Sequence, residues 1–262
     1  MDESTKTLMV FDFDHTVVDD NSDTWVIRCL PDRTLPNALK DSYQKGQWTD
    51  YMGRVMAYIG DQAVSPDGIR VVMETIPFTQ GMADLLAFIS AHKSAVDCVV
   101  ISDSNAVFID WILGAAGLRS AVDRVLTNPA RFDERGYLTV RRHHAHDCAR
   151  CPVNLCKRAA LQAYLTECEE GGVDYHRMIY VGDGGNDLCP SSCLRGGDVV
   201  MPRRGFTLEG LLSKLQSRGS SLKARVVPWT SGTEVLDELR SHMLPATCCR
   251  PHAAGHTLTT TP

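Results

Sequence analysis

An α/β fold, with a parallel sheet flanked by helices and a helical cap inserted after the first strand, is predicted by three features of the 262-residue chain. Short uninterrupted apolar runs recur, each followed by a helix-length segment, and such runs suit strands covered on both faces. Alternation of the two element types points to a Rossmann-like, doubly wound core. A long stretch without strand-like runs, but with helical patterns, separates the first run from the second.

In chain order, Leu8, Met9, Val10 and Phe11 form the first strand. Helical patterns follow over 22–30, 36–45, 49–59 and 66–76, with Asn21, Ser22 and Asp23 suited to cap the first. An insertion leaving a strand's C-terminal end sits over that end as a lid, where open α/β sheets bind ligands. Pro77 and Gly81 return the chain to the core. Strands at 98–101, 122–126, 178–181 and 199–201 then alternate with helices at 106–117, 157–169 and 207–217. Segment 132–140 has the pattern of a hairpin turning near Gly136, and a His/Cys-rich stretch follows it. The expected organisation is a core at 1–20 and 78–245, a cap at 21–77 and an insertion at 128–156 inside the core. A tail at 246–262, rich in Thr and Pro without periodicity, is expected to be disordered.

Composition narrows the function classes. A formal net charge of −5 and an isoelectric point near 6.0 argue against a nucleic-acid binder. No apolar run reaches the roughly 18–20 residues that span a bilayer. The acidic N-terminus with its short apolar stretch does not resemble a secretory signal, so a cytoplasmic protein is expected. In a reducing compartment its ten cysteines are free or metal-binding rather than paired.

Chemistry concentrates where the apolar runs end. Asp12 and Asp14, in DFDHT, alternate along an extended segment and so point the same way, fit for one ligand or a hard cation such as Mg²⁺. A plain acidic strand terminus has the same residues. Ser102 and Asp103, in ISDSN, offer a hydroxyl and backbone N–H groups for phosphate oxygens, although a helix cap prefers the same types. Asp183 and Asp187, in GDGGND, join hard oxygen ligands to glycines that allow a tight turn, and a generic turn competes. Lys157 stands at a helix start, where the macrodipole disfavours a cation unless an anion holds it. Their conjunction, in this order, is the specific signal.

DFDHT, ISDSN, Lys157 and GDGGND resemble the four motifs of the haloacid dehalogenase-like phosphatases. VVDDNSDTW and HDCARCPVNLCK extend the likeness to the branch containing phosphoethanolamine/phosphocholine phosphatases and pyridoxal phosphate phosphatases, and YMGRV and SDSNAVFIDW look closest to the latter. The resemblance implies Asp12 as nucleophile, Asp14 as proton donor and acceptor, and Ser102 and Lys157 as phosphate ligands. It implies Mg²⁺ on Asp12, the Asp14 carbonyl and Asp183, with Asp187 assisting or behind them. It further implies that Asp23 and Asp103 meet the non-phosphate part of a small phosphorylated metabolite. Pyridoxal 5′-phosphate is then the first expected substrate and phosphoethanolamine or phosphocholine the second. A phosphomutase and a catalytically silent binding protein are the rival readings of the same motifs.

His146, Cys148, Cys151 and Cys156 form a separate candidate set for structural Zn²⁺, since Cys-x-x-Cys spacing and imidazole suit that ion. Reduced cysteines in an irregular loop are the plainer alternative.

Overall fold

The computed structural model describes residues 6–243, so the tail expected at 246–262 lies outside the described residues. Strand β1 (Lys6–Phe11) is followed by α1 (Ser22–Trp25), a 3₁₀ turn (Val26–Cys29), α2 (Asn37–Lys40), α3 (Trp48–Asp61) and α4 (Pro66–Met73). The chain continues through α5 (Met82–Ala91), β2 (Val96–Asn105), α6 (Ala106–Ala115), β3 (Arg124–Asn128), β4 (Ala130–Phe132) and β5 (Leu138–Val140). It closes with α7 (Lys157–Glu170), β6 (Tyr175–Gly182), α8 (Leu188–Ser191), β7 (Val199–Pro202), α9 (Thr207–Ser217), β8 (Arg225–Val226) and α10 (Gly232–Met243). No helix among the described residues is long and apolar enough to cross a membrane.

Six strands form one parallel sheet in the order β3-β2-β1-β6-β7-β8. The order reverses direction beside β1, which makes the carboxyl ends of β1, β2 and β6 the crevice where such sheets bind ligands. Side chains alternate between two cores: Met9 and Phe11 face one cluster, Leu8 and Val10 the other. Both clusters are buried, which explains why these strands are apolar without interruption. The hairpin β4–β5 is antiparallel, and Gly136 takes the left-handed conformation (φ 81°) at its turn.

The inserted helices share the first cluster, through Val26, Met52, Val55, Met56, Ile59, Ile69 and Met73. Three are shorter than the sequence pattern suggests; that at 66–76 stops at Met73, where the N–H groups of Thr75 and Ile76 turn back onto the Val72 and Met73 carbonyls. The pattern at 22–30 splits into α1 and a 3₁₀ turn, because Pro31 forces Leu30 to an extended ψ of 147°. The pattern at 36–45 stops at Lys40, where the Ser42 hydroxyl takes the Leu39 carbonyl (2.7 Å) and Arg54 takes the Ser42 carbonyl (2.9 Å). Strand β3 starts at Arg124 rather than 122, because a 3₁₀ turn (Arg119–Ala121) precedes it and Asp123 accepts the Cys98 N–H at 2.7 Å.

Candidate active site

Asp12 follows β1 directly, its N–H bonded to the Val181 carbonyl of β6 at 2.9 Å. Its Oδ1 accepts the Phe13 N–H at 2.7 Å and lies 2.8 Å from Lys157 Nζ. Lys157 opens α7 with its side chain fully buried, and the same Nζ donates to Asp187 Oδ1 at 2.8 Å. Asp187 also accepts the Tyr180 hydroxyl (2.7 Å) and the N–H groups of Asp183 (3.1 Å) and Gly184 (2.9 Å). Gly182 has no alternative here, since a Cβ on it would stand 2.6 Å from the Asp187 carboxylate. The unfavourable cation at a helix start is thus held by two carboxylates, as the macrodipole argument requires.

Beyond Asp12 the chain turns tightly. The Phe13 carbonyl accepts the N–H groups of Thr16, Val17 and Val18, and His15 takes a left-handed φ of 54°. Arg203 donates to the His15 carbonyl at 2.6 Å and pairs with Asp19, which ties this turn to β7. The turn delivers Asp14 to the start of α1, where its oxygens accept the Ser22 N–H (2.8 Å) and Ser22 Oγ (3.1 Å). Asn21 is the cap of α1, accepting the Thr24 N–H at 3.1 Å, which leaves Ser22 and Asp23 free for the site.

Ser102, near the end of β2, is buried, and its Oγ accepts the Ser104 N–H at 3.1 Å. Asp103 is gripped by two side-chain amides, Asn154 Nδ2 at 3.0 Å and Asn186 Nδ2 at 2.7 Å. Asp23 is buried and accepts the Trp48 indole N–H at 2.7 Å, while Trp48 packs on Tyr43 and Tyr51 with ring centroids 5.7 and 5.5 Å away.

Burial dominates the electrostatics. It raises Asp12 well above the carboxylate range, and Asp187 adds repulsion that Lys157 partly offsets. Burial brings Asp14 to about 6, against the lowering effect of its Ser22 hydrogen bonds. Asp23 is raised to about 7 by burial and the Asp14 charge. Asp183 is raised to about 6 by burial and by Asp187. Burial alone lowers a lysine, but Asp12 and Asp187 outweigh it and Lys157 is held well above its ordinary value. Oxygens of Asp12, Asp183 and Asp187 lie within 4.8 Å of one another. Three carboxylates against one ammonium leave an excess of negative charge. A hard divalent cation such as Mg²⁺ fits this oxygen donor set and relieves that excess.

A family model described as Putative Phosphatase matches residues 7–243. The chain belongs to this phosphatase family. A pyridoxal phosphate phosphatase of Bos taurus is 49% identical to it over 235 residues, 90% of this chain and 98% of that protein. A phosphoethanolamine/phosphocholine phosphatase of Homo sapiens is 43% identical over 229 residues, 87% of this chain and 86% of that protein. Among solved structures, a substrate-bound phosphoserine phosphatase matches with a TM-score of 0.59 at 14% identity, over 90% of this chain and 99% of that one. At that identity the likeness shows the fold alone, an α/β core arranged like that of the phosphoserine phosphatase.

The phosphatase brings Asp12, Asp14, Asp183, Asp187, Ser102 and Lys157 to neighbouring strand ends, with Asp103 and Asp23 beside them. Sequence reasoning missed Ser22 and Ser104, whose hydroxyls meet at 2.7 Å, and the amides of Asn154 and Asn186. Small polar residues beside motif positions were the only signal for them. The candidate zinc set needs a correction. His146 is not among the converging groups, because its Nε2 bonds the Pro152 carbonyl (2.8 Å) and its Nδ1 accepts the Cys148 N–H (3.2 Å). Cys189, from a distant segment, joins Cys148, Cys151 and Cys156 instead.

Proposed function

We propose that this phosphatase hydrolyses pyridoxal 5′-phosphate through an aspartyl-phosphate on Asp12, with Mg²⁺ as cofactor. The observation that carries the chemistry is Asp12 paired with buried Lys157 at 2.8 Å, beside Asp183 and facing the crevice where Asp14 is clamped by Ser22. Asp12 attacks phosphorus while the bond from phosphorus to the substrate oxygen breaks, and Asp14 gives that oxygen its proton. Water then attacks the aspartyl-phosphate, Asp14 takes its proton, and cleavage of the phosphorus–Asp12 bond releases inorganic phosphate. A proton affinity raised to about 6 suits Asp14 to both transfers.

Ser102 and Lys157 bind phosphoryl oxygens, and Lys157 stabilises the charge that builds on them. Asp12, the Asp14 carbonyl and Asp183 would hold Mg²⁺. Bound there, the ion supplies the positive charge that offsets repulsion between a carboxylate and a phosphate dianion. Asp187, its oxygens occupied by Lys157, Tyr180 and the 183–184 backbone, keeps those groups in place. Asp23 and Asp103 receive the remainder of the substrate, where a carboxylate favours a protonated ring nitrogen or an ammonium.

The choice of pyridoxal 5′-phosphate is supported by the relative named for that activity at 49% identity. Phosphoethanolamine or phosphocholine is the second reading, favoured by the carboxylate–indole pair of Asp23 and Trp48. Phosphate release from the three esters, with Mg²⁺ and then with EDTA, tests both. The expected result is the highest kcat/KM for pyridoxal 5′-phosphate, loss of activity in EDTA and recovery with Mg²⁺. Preference for a choline or ethanolamine ester replaces the substrate. An isomerised phosphoester would identify a mutase, and binding without turnover of any ester a silent binding protein.

A further inference from the structure

Four thiols meet outside the catalytic crevice. Cys148, Cys151 and Cys156 lie in the segment between β5 and α7, and Cys189 lies on α8. Their sulfur atoms are all within 4.8 Å of one another. The separations are 3.6 Å from Cys148 to Cys151, 3.5 Å from Cys151 to Cys156 and 3.8 Å from Cys148 to Cys189. Four sulfurs at about 2.3 Å from one Zn²⁺ form a tetrahedron with edges of about 3.8 Å. A disulfide requires about 2.05 Å. The spacing is that of ligands around one ion, and not of bonded pairs.

We propose that Cys148, Cys151, Cys156 and Cys189 form a four-thiolate structural Zn²⁺ site. The neighbouring histidines build its scaffold: His146 and His144 accept the N–H groups of Cys148 and Cys156, each at 3.2 Å. Zinc bound by four thiolates is a net dianion, and Arg158, one residue after Lys157, has its Nε buried without a partner among the described residues. Cys156 immediately precedes Lys157, and Cys189 follows Asp187 by one intervening residue. The ion therefore ties together the two segments whose side chains form the buried Lys157–Asp187 pair, across what is otherwise an irregular loop.

Protein purified under reducing conditions without chelator is assayed for zinc by elemental analysis. It is then exchanged with Co²⁺ and its absorption recorded. The expected result is about one zinc per chain and an intense near-ultraviolet thiolate-to-cobalt band with visible tetrahedral bands. Cys189→Ser should lower zinc affinity at least about 100-fold, whereas Cys193→Ser, at an exposed neighbouring position, should retain the metal. Binding of Co²⁺ without a thiolate band would place the ion on oxygen ligands and overturn the proposal. So would wild-type protein that takes up less than about 0.1 zinc per chain from a small molar excess while its thiols titrate as free. Each readout is a metal content or a spectrum, so the result is independent of which phosphate ester is hydrolysed.

Discussion

In its proposed role as nucleophile Asp12 faces conflicting demands, since a nucleophile must be ionised while its surroundings exclude water and crowd it with like charge. Lys157, at 2.8 Å, supplies the nearest compensation. Asp12→Asn removes the attacking oxygen anion but keeps the shape. We expect kcat to fall at least about a thousand-fold, roughly 4 kcal/mol on the barrier, with an unchanged circular-dichroism spectrum. Hydrolysis at the wild-type rate would remove the nucleophile assignment. Asp23 presents a different case, because its folded pKa of about 7 lies above the ordinary 3.8. A raised carboxyl binds its proton more tightly in the folded state, so stability falls as pH rises from about 4 through 7. Asp23→Asn removes this liability. Denaturant unfolding should show the variant gaining on wild type by a few kcal/mol at pH 8 relative to pH 4, with KM raised for cationic esters.

At the scale of elements, the hairpin β4–β5 docks against α3 through a position without a side chain. A Cβ on Gly60 would stand 2.5 to 2.7 Å from the Tyr137 ring, whose hydroxyl donates to Asp61 at 3.0 Å. Arg142 and Asp50 pair across the same boundary at 2.7 Å. The exposed ion pair contributes little by itself, while the ring contact sets how closely the elements approach. Gly60→Ala is expected to cost about 1–3 kcal/mol by overpacking, read as a lower Tm. A Tm equal to wild type would mean the hairpin shifts without cost.

For the whole molecule, one buried ion cluster joins the ends of β1 and β6 to the start of α7. Removing its cation leaves Asp12 and Asp187 buried without it. Lys157→Met should therefore cost about 3–5 kcal/mol at pH 8. The loss should shrink toward pH 5, because Asp12 and Asp183, both raised by burial, take up protons and no longer need compensation. A pH-independent loss in urea unfolding would assign the effect to packing alone. The parallel sheet sets the frame for this cluster, since the reversal of strand order beside β1 opens the crevice between β2 and β6.

The strands and the residues at their ends were legible in the sequence because burial on both faces demands unbroken apolar runs and turns at strand ends tolerate Asp, Ser and Gly. That is why the sequence could place Asp12, Ser102 and Asp183 at strand ends, where the structure also has them. Local pattern also located α9 and the hairpin turn at Gly136. It overextended the helices at 22–30 and 36–45, where Pro31 and the side-chain bonds of Ser42 and Arg54 end the helix. Tertiary structure decided what touches what. It set Asn154 and Asn186 on Asp103, turned His146 toward the Pro152 carbonyl, and brought Cys189 from beyond β6 to the cysteines before Lys157. Those partners are distant in the chain, and nothing in local residue order encodes which distant groups a closed sheet will bring within bonding range.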